Sequence, residues 1–291
     1  MTATAPSAPL ATPSADRIGV GELAAIIDDY IVDADQRTYP LVDRAAWPAV
    51  APGALTDDQI SALRFITFIE DHTPGYLADY QRLFPLEPGL PEDILLYNRE
   101  LHRFTVRWAV DEERHADLLG KYQVHAGLTT ADELRRQLIR EAVKPFHLAQ
   151  REHVAAVVAY TVIQEKATQI FYRRFQDQLA EPLLGRLLAQ LGRDESRHFA
   201  LFARVLEACV RAAPIAAVDA IKEVLFHFKM PLSDSLRGYW RWAVRITDAM
   251  GYDHTEAYQH LVRLVERTAD ASVGSRTADL TAFIEGIRAV S

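Results

Sequence analysis

Apolar residues recur along this chain three and four positions apart, the period of a helix with one buried face, and the pattern resolves into a succession of helices. A first helix is expected from Ile18 to Tyr30, followed by an irregular, proline-punctuated stretch from Tyr39 to Gly53 around Trp47. Thr56 with Gln59 three residues on forms a capping box ahead of a long amphipathic helix from Ile60 to Phe84. Pro74 sits inside that pattern, four residues after Glu70. Its ring crowds the Glu70 carbonyl and its missing N–H leaves that carbonyl without its usual partner, so a kink, bulge or break is expected there. Pro91 suits the first turn of a helix running to about His125, and Thr130 with Glu133 caps the next, whose pattern extends to about Gln150. Further helices are expected from about Arg151 to Leu179 and from Pro182 to about Arg211. Shorter ones follow at Ala217–Phe228, Ser233–Met250, Thr255–Thr268 and Ala278–Val290, with breaks at Pro231, Gly251 and Gly274. No run of strand-like alternation stands between turn signals, so the fold class is all-α.

Composition narrows the picture. Hydrophobic residues make up 49% of 291 positions, enough for a sizeable core, yet charges interrupt every apolar run before it reaches the roughly 20 residues of a membrane span. Residues 1–15 are rich in Ala, Pro, Ser and Thr and read as a disordered tail, without the basic start and apolar stretch of a secretory signal. Residues 16–291 read as one domain. Cys209 is the single cysteine, so no intrachain disulfide forms, and a cytoplasmic location is inferred. The net charge of −8 argues against non-specific nucleic-acid binding, which needs Lys and Arg to neutralise phosphates.

The candidate chemistry lies in two matching stretches, Asp111-Glu112-Glu113-Arg114-His115 and Asp194-Glu195-Ser196-Arg197-His198. Each holds a Glu followed three residues later by a His, and three helical steps leave such side chains about 60° apart on one face, within reach of one metal. Glu70 precedes the first copy and Glu165 the second, each in its own helical segment. The order Glu, Glu-x-x-His, Glu, Glu-x-x-His is the ligand set of a di-iron carboxylate site in a ferritin-like four-helix bundle, here with additional N- and C-terminal helices. The duplication predicts a pseudo-twofold axis through the metal pair. Glu112 and Glu195 are assigned as bridging carboxylates, Glu70 with His115 as terminal ligands of one iron, and Glu165 with His198 as terminal ligands of the other. Carboxylate and imidazole donors suit iron or manganese better than structural zinc. Asp111 and Asp194 have two readings, as acceptors that fix the ligand histidines or as salt-bridge partners of Arg114 and Arg197.

These residues resemble the soluble acyl-carrier-protein desaturases of plastids and mycobacteria. Trp108-Ala-Val-Asp-Glu-Glu-Arg-His115-Ala-Asp-Leu-Leu is similar to that family's W-x-A-E-E-N-R-H-G-D-L-L, Gln164-Glu165-Lys166-Ala167-Thr168 to its Q-E-R-A-T, and Asp194 to His198 to its D-E-x-R-H. Glu70-Asp-His-Thr-Pro74-Gly-Tyr76 follows its E-x-x-L-P-x-Y, and Phe228-Lys229-Met230-Pro231 resembles a segment of the mycobacterial members. Thr73, Asp111 and Ala116 depart from the pattern, and none of them is a ligand. The resemblance implies two Fe ions, Fe2+ in the reduced state. It implies oxygen-dependent desaturation of an acyl thioester on acyl carrier protein, electrons from a ferredoxin-type donor, and a homodimer. It also places Thr168 near the oxygen-binding face, where a hydroxyl helps deliver protons, against ordinary packing or a back-bond to its helix. Trp108, one turn before Glu112, lies on an electron route or shapes the core. Arg237, Arg241 and Arg245, with Lys229 upstream, form a candidate stripe for docking the acidic carrier.

Three other functions compete. A di-iron hydroxylase or oxygenase acting on a carrier-bound chain shares fold and ligands. A ferritin-like ferroxidase needs only a compact bundle. A radical-bearing subunit needs a tyrosine beside one iron, for which Tyr160 and Tyr172 are ambiguous candidates.

Overall fold

The structure, a computed structural model, describes residues 17–39, 47–144, 146, 148, 153–253, 255–268 and 274–290. The expected tail at 1–15 lies outside the described residues, as do parts of the expected wrapping segment and of the stretch assigned to helix between Lys144 and His153. Among the described residues there is no strand. The helices are α1 (Val20–Gln36), α2 (Asp57–Glu70), α3 (Thr73–Leu83), α4 (Glu92–His125), α5 (Ala131–Ala142), α6 (Val154–Asp177), α7 (Pro182–Ala212), α8 (Pro214–His227), α9 (Tyr239–Met250), α10 (Thr255–Thr268) and α11 (Gly274–Val290).

The helix starts follow from side-chain chemistry. Thr56 Oγ1 accepts from the Gln59 N–H at 3.2 Å while Gln59 Oε1 accepts from the Thr56 N–H at 2.9 Å, the reciprocal box expected, contributing about 1 kcal/mol. Glu181 caps α7 through the N–H groups of Leu183 and Leu184, and Pro182 follows at the first helical position.

The long helix expected from Ile60 to Phe84 is two helices. α2 stops at Glu70, Asp71 and His72 form a turn, and α3 restarts at Thr73 with Pro74 in its first turn. The Glu70 carbonyl, deprived of an N–H by Pro74, accepts instead from the Thr73 hydroxyl at 2.8 Å. The break therefore leaves no orphaned carbonyl and places Glu70 at the very end of α2. The helix expected to reach Gln150 ends at Ala142, and the one expected from Ser233 starts only at Tyr239, after Gly238 turns the chain at φ 76°. Arg237 therefore precedes α9 and shares no helical face with Arg241 and Arg245. Arg245 pairs with Asp58, and Lys229 with Asp234 at 3.0 Å.

Helices α2, α4, α6 and α7 form the ligand-bearing bundle, with α1, α8 and α10 packed outside it. α6 is apolar almost all round, which matches its coverage by α7, α8 and α10. One apolar core, containing Trp108, joins α1, α3, α4, α6, α7, α8, α10 and α11; a second, containing Tyr172, joins α2, α4, α6, α7 and α9. The titratable cluster touches both. Trp108 abuts His198 from one core and Tyr172 reaches Glu70 from the other.

Candidate metal centre

The i,i+3 spacing on α4 and α7 aims Glu112 with His115, and Glu195 with His198, into the bundle. The end of α2 delivers Glu70 and the middle of α6 delivers Glu165. All six are buried, and both histidines are fully so. Their donor atoms form two overlapping groups, each within 4.8 Å: Glu70, Glu112, His115 and Glu195, and Glu112, Glu165, Glu195 and His198. The two carboxylates common to both groups are Glu112 and Glu195, as the symmetry of the sequence predicts.

Distances repeat the pseudo-twofold relation. His115 Nδ1 lies 3.1 Å from Glu195 Oε1 and 3.5 Å from Glu70 Oε2. His198 Nδ1 lies 3.1 Å from Glu112 Oε1 and 3.3 Å from Glu165 Oε2. Each histidine thus stands closest to the shared carboxylate of the opposite motif.

The aspartates satisfy both of their sequence readings at once, because a carboxylate has two oxygens. Asp194 Oδ1 takes Arg197 at 2.5 Å while its Oδ2 faces His115 Nε2 at 3.3 Å. Asp111 Oδ1 takes Arg114 at 2.5 Å while its Oδ2 faces His198 Nε2 at 3.4 Å. The arrangement is crossed, each aspartate steadying the histidine of the other motif. An Nε2 proton directed at aspartate would leave each Nδ1, once deprotonated, as the nitrogen that faces the cluster. Sequence reasoning missed the outer partners, Tyr39, which donates to Asp194 at 2.6 Å, and Tyr30, at 3.4 Å from Asp111. It also left Tyr172 ambiguous, and Tyr172 donates to Glu70 Oε1.

The electrostatics demand positive charge. Burial, then the charge of Glu195, pushes the Glu112 carboxyl up to about 8, and burial raises Glu165 well above the usual range. Burial works the same way on Glu195, but the two imidazoles close to it, His115 at 3.1 Å and His198 at 3.6 Å, outweigh it and hold that carboxyl below the usual range. Burial, then the surrounding carboxylates, raises the Tyr172 phenol well above its ordinary value, so it stays a donor. Glu112 Oε1, Glu165 Oε1, Glu195 Oε1 and both histidine Nδ1 atoms are buried without a hydrogen-bond partner. Buried polar atoms left so are costly, and ones that converge from four helices fit metal ions between them. The donor set, carboxylate oxygen with imidazole nitrogen, could hold metal ions.

Trp108 is 2% exposed and stands edge-on to His198 at 6.5 Å, within a run of rings that includes Tyr76, Tyr80 and Phe104. Thr168 donates to the Gln164 carbonyl at 3.1 Å, the back-bond weighed against a proton-delivery role.

The model of the family described as fatty acid desaturase matches residues 55–268. Stearoyl-acyl-carrier-protein 9-desaturase 6 of Arabidopsis thaliana is 24% identical over 168 residues, covering 55% of this chain and 42% of that protein. DesA2 of Mycobacterium tuberculosis, described as an acyl-carrier-protein desaturase, is 29% identical over 173 residues, covering 58% of this chain and 57% of that protein. The chain spans about half the length of the curated relatives it matches. The X-ray structure of DesA2 superposes with a TM-score of 0.58 at 17% identity over 88% of this chain and 98% of that one, a likeness of fold.

Proposed function

The chain belongs to the fatty acid desaturase family, and on that premise we propose that it desaturates an acyl chain carried as a thioester on acyl carrier protein. The observation that carries this reading is the pair of buried donor groups sharing Glu112 and Glu195 inside the family-matched region. Glu70 with His115, and Glu165 with His198, would complete the two iron positions. The iron pair would supply two-electron chemistry with dioxygen. Adjacent CH2 groups lose two hydrogens while dioxygen, two electrons and two protons complete two waters, the electrons coming from a ferredoxin-type donor.

The chain's own residues have distinct tasks. Asp111 and Asp194 hold the two imidazoles in one tautomer and orientation. Trp108 closes the site against water on the His198 side. Tyr80 and Phe104, its ring neighbours, pack with Leu23, Ile27, Val158 and Phe202 around a small apolar void of about 20 Å³, too small for an acyl chain, so this side of the site is closed core. Among the described residues no helix is long and apolar enough to cross a membrane. The reading extends to a homodimer acting in the cytoplasm.

The test is intact mass spectrometry of a panel of acyl carrier proteins before and after incubation with enzyme, ferredoxin, reductant and oxygen. Loss of two hydrogens is the expected result. Gain of one oxygen makes the protein a hydroxylase, and iron oxidation with every acyl chain unchanged makes it a ferroxidase.

Thr168 is the proposed proton donor on α6, a role in which its hydroxyl would have to turn away from the Gln164 carbonyl that it now donates to. Thr168→Val keeps the volume and removes the donor. The expected outcome is uncoupling, with less unsaturated product per oxygen consumed and more hydrogen peroxide released, at unchanged iron content. Wild-type coupling would make Thr168 a packing residue and move the proton route to Asp194 or water.

A further inference from the structure

The two halves of the cluster place the same six side chains alike, and one difference between them falls on the outer carboxylates. Glu70 and Glu165 are related by the pseudo-twofold axis, yet their outer oxygens meet different surroundings. Glu70 Oε1 accepts the hydroxyl of Tyr172, which projects from α6 two turns beyond Glu165 and is 1% exposed. Glu165 Oε1 is buried with no hydrogen-bond partner at all. The residue at the same offset from Glu70 is Leu77, which has no hydroxyl to give, and the nearby Tyr80 hydroxyl is engaged with Thr161 at 2.5 Å.

We propose that Tyr172 is a positioning residue that makes the two metal positions unequal, by holding Glu70 Oε1 away from the metal so that Glu70 binds through Oε2 alone. Glu70 Oε2 is the oxygen that faces His115 Nδ1, at 3.5 Å, so the atom left free is already on the metal side. A carboxylate oxygen engaged by a strong, charge-assisted hydrogen bond is a poor second arm of a chelate. Glu165 carries no such restraint and keeps both oxygens available. The Glu70–His115 position is therefore one donor poorer than the Glu165–His198 position, and an under-coordinated metal is the one with room for an outside ligand.

This inference rests on the iron reading of the cluster, and its test separates the two. Protein reconstituted with iron-57 is examined in the diferrous state by Mössbauer spectroscopy, and iron content is measured on the same sample. Fewer than two irons in the wild-type protein would defeat the iron reading itself. With about two irons bound, the wild type should show two quadrupole doublets of equal area and distinct splitting. In Tyr172→Phe, which keeps the ring and removes the hydroxyl, the doublets should converge at unchanged iron content. Three results overturn the proposal: a single doublet in the wild type, two undisturbed doublets in Tyr172→Phe, or a Tyr172→Phe protein that loses iron. The last would mean that the phenol supports binding by Glu70 instead of restraining it.

Discussion

Glu195→Ala should strip both metal positions in one step. Glu195 belongs to both donor groups, and its Oε1 is the atom closest to His115 Nδ1, at 3.1 Å, while its Oε2 lies 3.6 Å from His198 Nδ1. Loss of residues that merely orient a ligand typically weakens metal binding by about 10- to 100-fold, so loss of a ligand shared by two ions should exceed that range at each position. Iron content is expected to fall from about two per chain to near zero, and product formation with it. Glu70→Ala provides the contrast. Glu70 belongs to one group only, so that variant should keep roughly one iron. Glu195→Gln, which preserves volume but presents an amide N–H2 to one metal, separates ligand loss from cavity formation. Iron analysis, with circular dichroism as a check of folding, reads all three. A Glu195→Ala protein with two irons and full activity would refute the assignment of Glu195 as a bridge.

The clustering of the six Glu and His side chains was legible because its information is local. A Glu and a His three residues apart on a helix share a face whatever surrounds them, and the repetition of that unit made Glu112 and Glu195 the natural shared pair. What stayed hidden depends on contacts between distant segments. Tyr39 and Asp194 are 155 positions apart, and Tyr172 and Glu70 are 102 apart. No periodicity connects them. The crossing of each aspartate to the other motif's histidine is likewise a product of how α4 faces α7.

The break after Glu70 was one of the outcomes open at Pro74, and the sequence did not choose among them for a different reason. α2 and α3 each bury an apolar face against the same bundle, so the helical period runs through the turn without a visible fault. Pro74 marked the place, but its outcome was set by Thr73, whose hydroxyl supplies the hydrogen bond the proline cannot. The single helical face expected for the three arginines loses Arg237 for a related reason. Gly238 adopts a left-handed conformation and starts α9 after Arg237, which a four-residue spacing alone does not reveal.

Iron(II) added to the metal-free protein should raise its melting temperature more at pH 8 than at pH 6, with proton release on binding. The metal-free cluster holds protons at neutral pH. Burial and the Glu195 charge lift Glu112 from 4.5 to about 8, and burial lifts Glu165 well above 4.5. For His115, burial is outweighed by its contact with Asp194 and by the nearby carboxylates of Glu195 and Glu70, and for His198 by Tyr30 and the carboxylates around it, so both rise well above 6.5. All four have folded values above their unfolded ones. Their contribution to stability is full below the unfolded values and is lost as pH rises towards the folded ones, for Glu112 across the window from 4.5 to about 8. Each such group costs about 1.4 kcal/mol per pH unit within its window. Glu195 and Asp111 run the other way, their depressed values giving stability above the ordinary carboxylate range that is lost in acid. Metal binding requires deprotonated carboxylates and imidazole nitrogens free of protons, so bound metal replaces what the metal-free cluster loses as pH rises. Melting curves of metal-free and reconstituted protein at pH 6, 7 and 8 should show a widening gap. Titration calorimetry in two buffers of different ionisation enthalpy should report the protons released. An equal gap at pH 6 and pH 8, with no proton release, would show that iron does not take the place of protons in this cluster.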